Sequence, residues 1–307
     1  MYDTLKLWID WDKVSRANPL DILDHLPNIT ESRNKNGFWY SGKCGDFKVS
    51  MYPSNGVSLV GSLPKFYFGN NIQTLTRHET QKALERLSDE LGFDVGLAEM
   101  KRLDVSTVIE MSRQPSDYYD CLGDKKRFER VQATKNTLYY NNHKQQLIFY
   151  DKTKEARAKN AEVPQQFAGK NLLRYESRYS GRLKQQLPIV TVSALYDEVF
   201  FRKMVQDWHS EFASISKIQR MAMNCNGINT PKNAKDAILA TLLQEKGQQG
   251  IDRILADLKA DGTLSSKQRS MIKSDLRELM TTTNGQEYDL LAELETKVLE
   301  TRNKMLL

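Results

Sequence analysis

The sequence predicts an α+β fold, in which two related α/β halves form a central, mainly antiparallel sheet and an all-helical region follows. Three observations support this fold class. Segments in which apolar and polar residues alternate recur over the first two thirds of the 307 residues. One helix among those segments carries clear start and stop signals. From about residue 196 to the end, the apolar residues follow helical spacing instead.

Alternating segments predict the strands of the first half. Residues 4–10, TLKLWID, alternate, and residues 47–63, FKVSMYPSNGVSLVGSL, predict two strands around the turn signal PSNG. Residues 65–69, KFYFG, are expected to extend this sheet. Residues 76–92 predict the clearest helix, because Thr76 and Glu79 form a capping box and a glycine ends the apolar stripe. Residues 101–111, KRLDVSTVIEM, then predict another strand.

The second half repeats this mixture. Strands are predicted for TLYYNN (137–142), QLIFYDK (146–152) and LLRYESRYS (172–180), with a helix at TKEARAKN (153–160). Each half holds one strand with the order arginine, apolar residue, acid, namely RLD (102–104) and RYE (174–176). This pair of patterns indicates two pseudo-repeats, about 1–112 and 113–195.

The C-terminal region, 196–307, is predicted to be helical and to take no part in chemistry. Thr230 and Pro231 fit the N-cap and first position of one of its helices. Residues 205–307 hold 14 Lys/Arg and 14 Asp/Glu, so this part of the chain is neutral. Such a region serves packing, oligomerisation or accessory recognition, and the sequence does not choose among these roles.

Positive charge is concentrated in one block of the chain. The net charge is +6, and residues 125–187 hold 15 Lys/Arg against 5 Asp/Glu. Tyrosines and phenylalanines lie among these charges, which favours binding of a polyanion such as nucleic acid. The alternative is a solvated basic surface. The predicted DNA contacts are Lys125, Lys126, Arg127, Arg130, Lys144, Arg174, Arg178, Arg182 and Lys184.

Several protein classes lack support in the sequence. No apolar run approaches the roughly 20 residues that span a bilayer, and the acid-bearing N-terminus does not look like a signal peptide. Three scattered cysteines, Cys44, Cys121 and Cys225, form no zinc-binding or disulfide pattern. GxGxxG, GxxxxGK[ST] and GxSxG are absent. We therefore expect a cytoplasmic protein without a membrane partner.

Tyr150 is the candidate nucleophile. Strand alternation in QLIFYDK places Ile148, Tyr150 and Lys152 on one face. Phenol reacts as its anion, and its reference pKa is about 10, so a neighbouring ammonium group would favour the reactive form. The same cation would stabilise charge that develops on a phosphoryl group. The alternative is an ordinary strand tyrosine beside a lysine that faces solvent.

Asp104 and Glu176 are the candidate metal ligands. Two carboxylates on strands of one sheet could hold a hard divalent cation such as Mg²⁺ or Mn²⁺. The alternative is structural, with Arg102 paired to Asp104 and Arg174 paired to Glu176.

The ordered motifs resemble those of a known family. RLDVS, TLYYNN, LIFYDKTKE and LLRYESR, after the opening YDTLKLWI, are similar to the replication initiators of filamentous phages and related plasmids and mobile elements, the gene-two type. The resemblance runs from residue 2 to about residue 215. It implies a metal-dependent endonuclease for rolling-circle replication that nicks one origin strand, forms a 5′-phosphotyrosine intermediate, leaves a 3′-hydroxyl and later rejoins the strand.

The resemblance also implies roles for individual residues. Tyr150 corresponds to the nucleophile, Lys152 would assist it, and Asp104 and Glu176 would hold Mg²⁺ or Mn²⁺, with Asp10 or His143 as candidates to complete the shell. Residues 1–195 would form the nicking domain. Implied partners are single-stranded or melted origin DNA, the host replication helicase and polymerase, and a second copy of the chain as one allowed assembly.

Two rival functions stay open at this point. The first is a DNA-binding replication or control protein without catalysis, which needs the basic block but not Tyr150. The second is an RNA-binding module that stacks bases on tyrosines such as Tyr139, Tyr140, Tyr175 and Tyr179. No RNP1-type motif supports the second rival.

Overall fold

A computed structural model describes most of the chain, namely residues 1–14, 19–35, 37–218, 221–222, 230–260, 262–282 and 288–307. The chain divides into two compact units. One comprises residues 1–218 together with 292–307, and the other comprises residues 219–291. The predicted boundary between residues 195 and 196 stays a prediction.

The larger unit is built on one ten-stranded antiparallel sheet with the strand order β2-β3-β4-β5-β1-β6-β11-β10-β9-β8. Its strands are β1 (Tyr2–Asp10), β2 (Thr30–Asn34), β3 (Gly37–Cys44), β4 (Phe47–Tyr52), β5 (Gly56–Ser62), β6 (Glu99–Met111), β8 (Glu129–Thr134), β9 (Thr137–Asn141), β10 (Gln145–Asp151) and β11 (Asn171–Tyr179). A short separate pair joins β7 (Leu122–Lys125) to β12 (Ile215–Lys217). The predicted α+β class, with a large antiparallel sheet and C-terminal helices, is confirmed.

The sheet has the same strand order on either side of its centre. β1 and β6 pair in the middle, and outward from them lie β5, β4, β3 and β2 on one side and β11, β10, β9 and β8 on the other. In each half, the strand that comes first in the sequence, β1 or β6, lies at the centre of the sheet. The later strands of that half lie outward from it in descending order, so the last one is next to the centre. A relation between the two halves stays a prediction.

Helices α1 (Leu63–Phe68) and α2 (Arg77–Leu91) connect β5 to β6. The predicted capping box at Thr76 and Glu79 is present, and Gly92 ends α2 with a left-handed φ of 69°. The predicted strand at residues 65–69 is wrong, because that segment forms α1. Ser62 accepts a hydrogen bond from the backbone of Lys65, Pro64 occupies the first turn, and a glycine closes the helix.

One face of the sheet is apolar and packs against helices. In β1, Leu5, Leu7 and Ile9 are buried, whereas Lys6 and Asp10 are exposed on the opposite face. On the apolar face, Tyr175 of β11 stacks on Phe149 of β10 at 4.5 Å and meets Trp208 at 4.8 Å between ring centroids. Trp208 belongs to α4 (Glu198–Ala213), so this helix, which follows residue 195, covers the sheet.

The remaining helices are α3 (Lys152–Ala158), α5 (Pro231–Ala260), α6 (Ser266–Thr282) and α7 (Leu290–Leu306). In the smaller unit, β13 (Met221–Ala222) pairs with β14 (Tyr288–Asp289), and Leu255 of α5 packs on Leu264, Ile272 and Leu276. In the larger unit, Glu293 of α7 accepts hydrogen bonds from Tyr118 Oη and from the Ser112 backbone. None of the helices among the described residues has the length and apolar character of a membrane span.

Candidate active site

Tyr150 lies near the end of β10 on the face of the sheet that is opposite the apolar one. Its neighbours across the strands are Arg174 in β11 and Thr137 in β9. The side chain is partly exposed, and its hydroxyl makes no hydrogen bond with any described residue. Arg174 lies in turn opposite Val108 of β6. The sheet therefore holds the phenol in place, while its oxygen has no hydrogen-bond partner in the part of the chain that the structure describes.

Acids and arginines fill the polar face beside Tyr150. We call this group the arginine–carboxylate cluster, and it consists of Asp3, Asp104, Glu176, Arg102, Arg174 and Arg178. Its side chains belong to three adjacent strands, β1, β6 and β11. Three positive and three negative charges make the cluster neutral when all are ionised.

Arg178 bridges the two predicted metal ligands. Its Nη2 lies 2.9 Å from Glu176 Oε1 and its Nε lies 3.4 Å from Asp104 Oδ2. Arg102 adds a second partner to Asp104, with Nε 2.8 Å from Oδ1. Arg174 Nε lies 3.7 Å from Glu176 Oε2. The within-strand ion pairs that the sequence left open as the alternative are thus both present, and a cross-strand pair joins them.

Arg174 is the most buried cation of the cluster, with a side chain 2% exposed. Its guanidinium lies 2.5 Å from Asp3 Oδ2, and it also donates to Ser106 Oγ and to the Asn71 carbonyl. These partners come from β1, β6 and the loop between α1 and α2. A buried charge is stable only when it is paired and hydrogen-bonded. These contacts therefore fix the position of the Arg174 guanidinium beside Tyr150.

Burial raises the pKa of Tyr150 above its ordinary value, while the positive charge of Arg174 opposes that shift and Glu176 adds to it. Burial also raises the pKa of Glu176 to about 7, with the charge of Asp104 adding to the shift and Arg174 and Arg178 opposing it. Tyr150 is therefore a neutral phenol at pH 7 in the free protein. A role as nucleophile, which stays a prediction, would require removal of this proton when substrate is bound.

Lys152 does not extend the strand that carries Tyr150. β10 ends at Asp151, whose side chain caps α3, and Lys152 is the first residue of that helix. Lys152 Nζ is buried and lies 2.7 Å from Asn71 Oδ1 and 2.6 Å from Glu155 Oε2. Burial lowers its pKa, and the charge of Arg174 adds to that effect. The cation next to Tyr150 on the neighbouring strand is Arg174. The assisting role of Lys152 stays a prediction.

As arranged, the acids do not fit a divalent cation. Asp104 and Glu176 are committed to arginines, and the described residues contain no group of three or more His, Cys, Asp or Glu side chains that could hold a metal. The buried Nε atoms of Arg174 and Arg178 make no hydrogen bond, but they lie 3.7 Å from Glu176 Oε2 and 3.4 Å from Asp104 Oδ2, so each acid already faces a cation of the protein. Dependence on Mg²⁺ or Mn²⁺ stays a prediction.

The two further candidate metal ligands, Asp10 and His143, are not members of the arginine–carboxylate cluster. Asp10 Oδ1 accepts a hydrogen bond of 2.7 Å from Trp8 Nε1. His143 is exposed in the turn between β9 and β10.

The predicted DNA contacts fall into two groups. Four are held by protein contacts at buried or partly buried positions: Lys125 pairs with Glu211, Arg130 donates to the carbonyls of Leu122 and Tyr119, and Arg174 and Arg178 belong to the arginine–carboxylate cluster. The others are exposed or partly exposed, namely Lys126, Arg127, Lys144, Arg182 and Lys184, of which Lys184 lies 3.3 Å from Glu99. Their contacts with DNA stay predictions.

Sequence reasoning missed three partners of Arg174, namely Asp3, Asn71 and Ser106. Asp3 is a buried acid near the start of β1, and its place next to apolar residues was a usable signal. Asn71 lies in a loop and contacts both Arg174 and Lys152, and its sequence context carries no signal of this role.

Comparison with known proteins bears on the same part of the chain. A family model described as the N-terminal part of the gene-two replication-associated protein of phages matches residues 1–211, which include every residue of the site. No curated protein matches the chain.

Proposed function

The chain belongs to the gene-two family of phage replication-associated proteins, which are rolling-circle replication initiators, and on this basis we propose that it nicks one strand of origin DNA through Tyr150. The observation that carries the proposal is the position of the phenol. Tyr150 is partly exposed on the polar face of the sheet, its hydroxyl has no hydrogen-bond partner among the described residues, and Arg174 lies opposite it.

The proposed reaction consists of two transesterifications. Tyr150 Oη attacks the scissile phosphorus and gives up its proton, the bond from phosphorus to the 3′-oxygen breaks, and that oxygen takes a proton to become a 3′-hydroxyl. The 5′-phosphate is then bound to the tyrosine. Rejoining reverses the step, because a 3′-hydroxyl attacks the phosphotyrosine and releases the phenol. No water enters either step, so the phosphodiester is conserved.

The arginines contribute electrostatics in this proposal. Negative charge develops on the phosphoryl oxygens during attack, and fixed cations nearby stabilise that charge. Arg102 and Arg178 are each 29% exposed, whereas Arg174 is 2% exposed, so these two are the members of the arginine–carboxylate cluster best placed to meet a phosphate. Arg174 is a positioning residue, since its own contacts are all internal.

The wider organisation belongs to the same proposal. Residues 1–195 form the nicking domain from two related halves, a relation supported by the matching strand order on either side of β1 and β6. The proposed substrate is single-stranded or melted DNA. A phenol on the face of a sheet can reach the backbone of a DNA strand that is not paired in a duplex. A host helicase and polymerase would use the 3′-hydroxyl.

The experiment uses supercoiled plasmids that carry overlapping fragments of the DNA element that encodes the chain. Wild-type protein with Mg²⁺ or Mn²⁺ is expected to convert one plasmid to the nicked form, and Tyr150→Phe is expected to leave it supercoiled. Tyr139→Phe is the matched control, since Tyr139 lies opposite Ile148 on the neighbouring strand and is also partly exposed. Equal nicking by wild type and Tyr150→Phe contradicts the proposal.

One observation favours a second candidate. Burial raises the pKa of Tyr150 and so works against the phenolate. A replication protein that binds DNA without cutting it would not need that anion. Binding to one fragment without nicking of any plasmid by the wild-type protein, with either metal, would select this second function.

A further inference from the structure

The open face of the sheet carries a row of small hydroxyl side chains across four strands. Strand pairing places these residues opposite one another from β2 to β5, with Trp8 of β1 next in the row. The row consists of Thr30, Ser41, Ser50 and Ser58. Their side chains are short, and each is exposed or partly exposed. They form a shallow floor between two different walls.

Lysines form the first wall. Lys43 of β3 lies opposite Lys48 of β4, which lies opposite Val60 of β5, which lies opposite Lys6 of β1. All three lysines are exposed, and none pairs with an acid among the described residues. Adjacent strands are about 4.8 Å apart, so this wall extends over about 14 Å. Free ammonium groups in such a line are suited to a chain of phosphates.

Aromatic rings form the second wall. Tyr52 lies 5.7 Å from Trp8 and 6.2 Å from Trp39 between ring centroids, and the planes of Tyr52 and Trp39 differ by 29°. All three rings are partly exposed. Trp39 and Tyr52 are four residues from Lys43 and Lys48 along the same strands, which corresponds to about 13 Å. Lys43 and Lys48 therefore lie on one side of the floor and Trp39 and Tyr52 on the other, while Trp8 lies at the end of the hydroxyl row, beside Tyr52.

We propose that this lysine–tryptophan face, formed by Lys6, Lys43, Lys48, Trp8, Trp39 and Tyr52, binds a segment of single-stranded DNA. The lysines would track the phosphates while the unpaired bases stack on the rings, as in other single-strand binding surfaces. In a DNA duplex the bases are paired and stacked on one another, so none is available to stack on the aromatic rings. Charge complementarity and the free rings together favour this occupant over a protein partner.

The face also has a place relative to the proposed chemistry. Lys6 lies opposite Arg102 of β6, and alternation along β6 puts Asp104 on the same face, opposite Arg178 of β11. From Arg178 the same alternation leads to Arg174, opposite Tyr150. The two sites therefore share one continuous face of one sheet. The inference rests on the proposed function only for the choice of DNA as the polymer.

The test measures binding without nicking. All proteins carry Tyr150→Phe, and a fluorescent mixed-sequence DNA strand, long enough to cover the whole face, is titrated by anisotropy over a range of salt concentrations. One variant has Lys6, Lys43 and Lys48 changed to Gln, and another has Trp8→Ala. The charge-matched control changes Lys82, Lys203 and Lys297 to Gln, on α2, α4 and α7, all of which are exposed or partly exposed. Thermal melting verifies that each variant folds.

Loss of three phosphate contacts is expected to weaken binding by about tenfold at about 0.1 M salt and to reduce the slope of log K against log salt by about 2, at about 0.7 per contact. Trp8→Ala is expected to weaken binding at least about fivefold. The control triple variant removes the same charge from helices and should therefore show a smaller loss of affinity and a smaller change in the salt slope.

Three outcomes would overturn the inference. The lysine variant could lose no more affinity than the control, the loss could be as large for duplex DNA of the same length, or an RNA strand could bind better than DNA. Because the Tyr150→Phe background cannot nick through that residue, any of these results leaves the plasmid-nicking test of the proposed function unaffected.

Discussion

Tyr150 of β10 lies directly opposite Arg174 of β11, and this pairing sets a phenol beside a guanidinium that is buried and bonded to Asp3. The arginine favours the phenolate, whereas burial and the nearby acids oppose it. The net effect is a raised pKa. The free protein therefore holds its proposed nucleophile in the neutral, protected form, and the pairing leads to several measurable consequences.

The first prediction concerns the pH dependence of nicking. Below the raised pKa of Tyr150, the phenolate fraction grows tenfold with each pH unit. The logarithm of the single-turnover nicking rate should therefore rise with a slope of about 1 between about pH 7 and 9. DNA affinity of Tyr150→Phe, measured at each pH, separates binding from chemistry. A rate that is flat over this range would show that the nucleophile is already ionised at pH 7.

The second prediction concerns Arg174. A lysine cannot reach Asp3, Ser106 Oγ and the Asn71 carbonyl together, because it lacks the planar fork of the guanidinium. Arg174→Lys keeps the positive charge but loses hydrogen bonds of the guanidinium, so it should lower the free energy of unfolding by about 1.5–3 kcal/mol, the range for hydrogen bonds to charged groups. Urea unfolding measures the change. Arg202→Lys, at an exposed pair on α4, is the control and should cost less than about 0.5 kcal/mol.

The third prediction separates an ion-pair cluster from a metal site. In EDTA, two acids of an empty metal site repel each other, so neutralising one of them stabilises the fold. In the arginine–carboxylate cluster, Asp104→Asn instead removes a negative charge that balances the positive charges of Arg102 and Arg178. We expect a loss of about 3–5 kcal/mol in urea unfolding with EDTA present.

An unchanged or higher stability of Asp104→Asn in EDTA would contradict the ion-pair description and support the predicted metal site. Glu198→Gln, at an exposed helical pair with Arg202, controls for loss of one acid at the surface.

The fourth prediction concerns Cys44. Burial raises the pKa of its thiol to about 12, and its hydrogen bond to Glu90 adds to the shift. The thiolate fraction at pH 8 is then about 10⁻⁴, so iodoacetamide should scarcely label this residue in the folded protein, and urea should restore labelling. Peptide mass spectrometry follows the site. Labelling of folded Cys44 at the rate of a free thiol would contradict its burial beside Glu90.

Local patterns predicted much of this fold. β1, β6 and α2 follow from alternation or from capping signals within one segment, and all three are present. The error at residues 65–69 has a local cause as well. Phe, Tyr and Phe favour a strand, but Ser62 and Pro64 are start signals for a helix, and these signals decide the structure.

The site required information that no single segment contains. The sequence offered the pairs Arg102–Asp104 and Arg174–Glu176, because each lies within one strand. The bridge from Arg178 to Asp104 depends on the register between β6 and β11. Lys6, Lys43 and Lys48 likewise come from three strands outside the basic block, and only strand pairing places them in one row.

Mass spectrometry of a trapped protein–oligonucleotide adduct tests the central claim most directly. The protein is incubated with single-stranded fragments of the nicked plasmid, denatured and digested. We expect one peptide that contains Tyr150 joined to the 5′-phosphate of a nucleotide, and no adduct with Tyr150→Phe. A 3′-phosphate linkage, or an adduct on another residue such as Tyr139, would contradict the claim that Tyr150 attacks the DNA backbone.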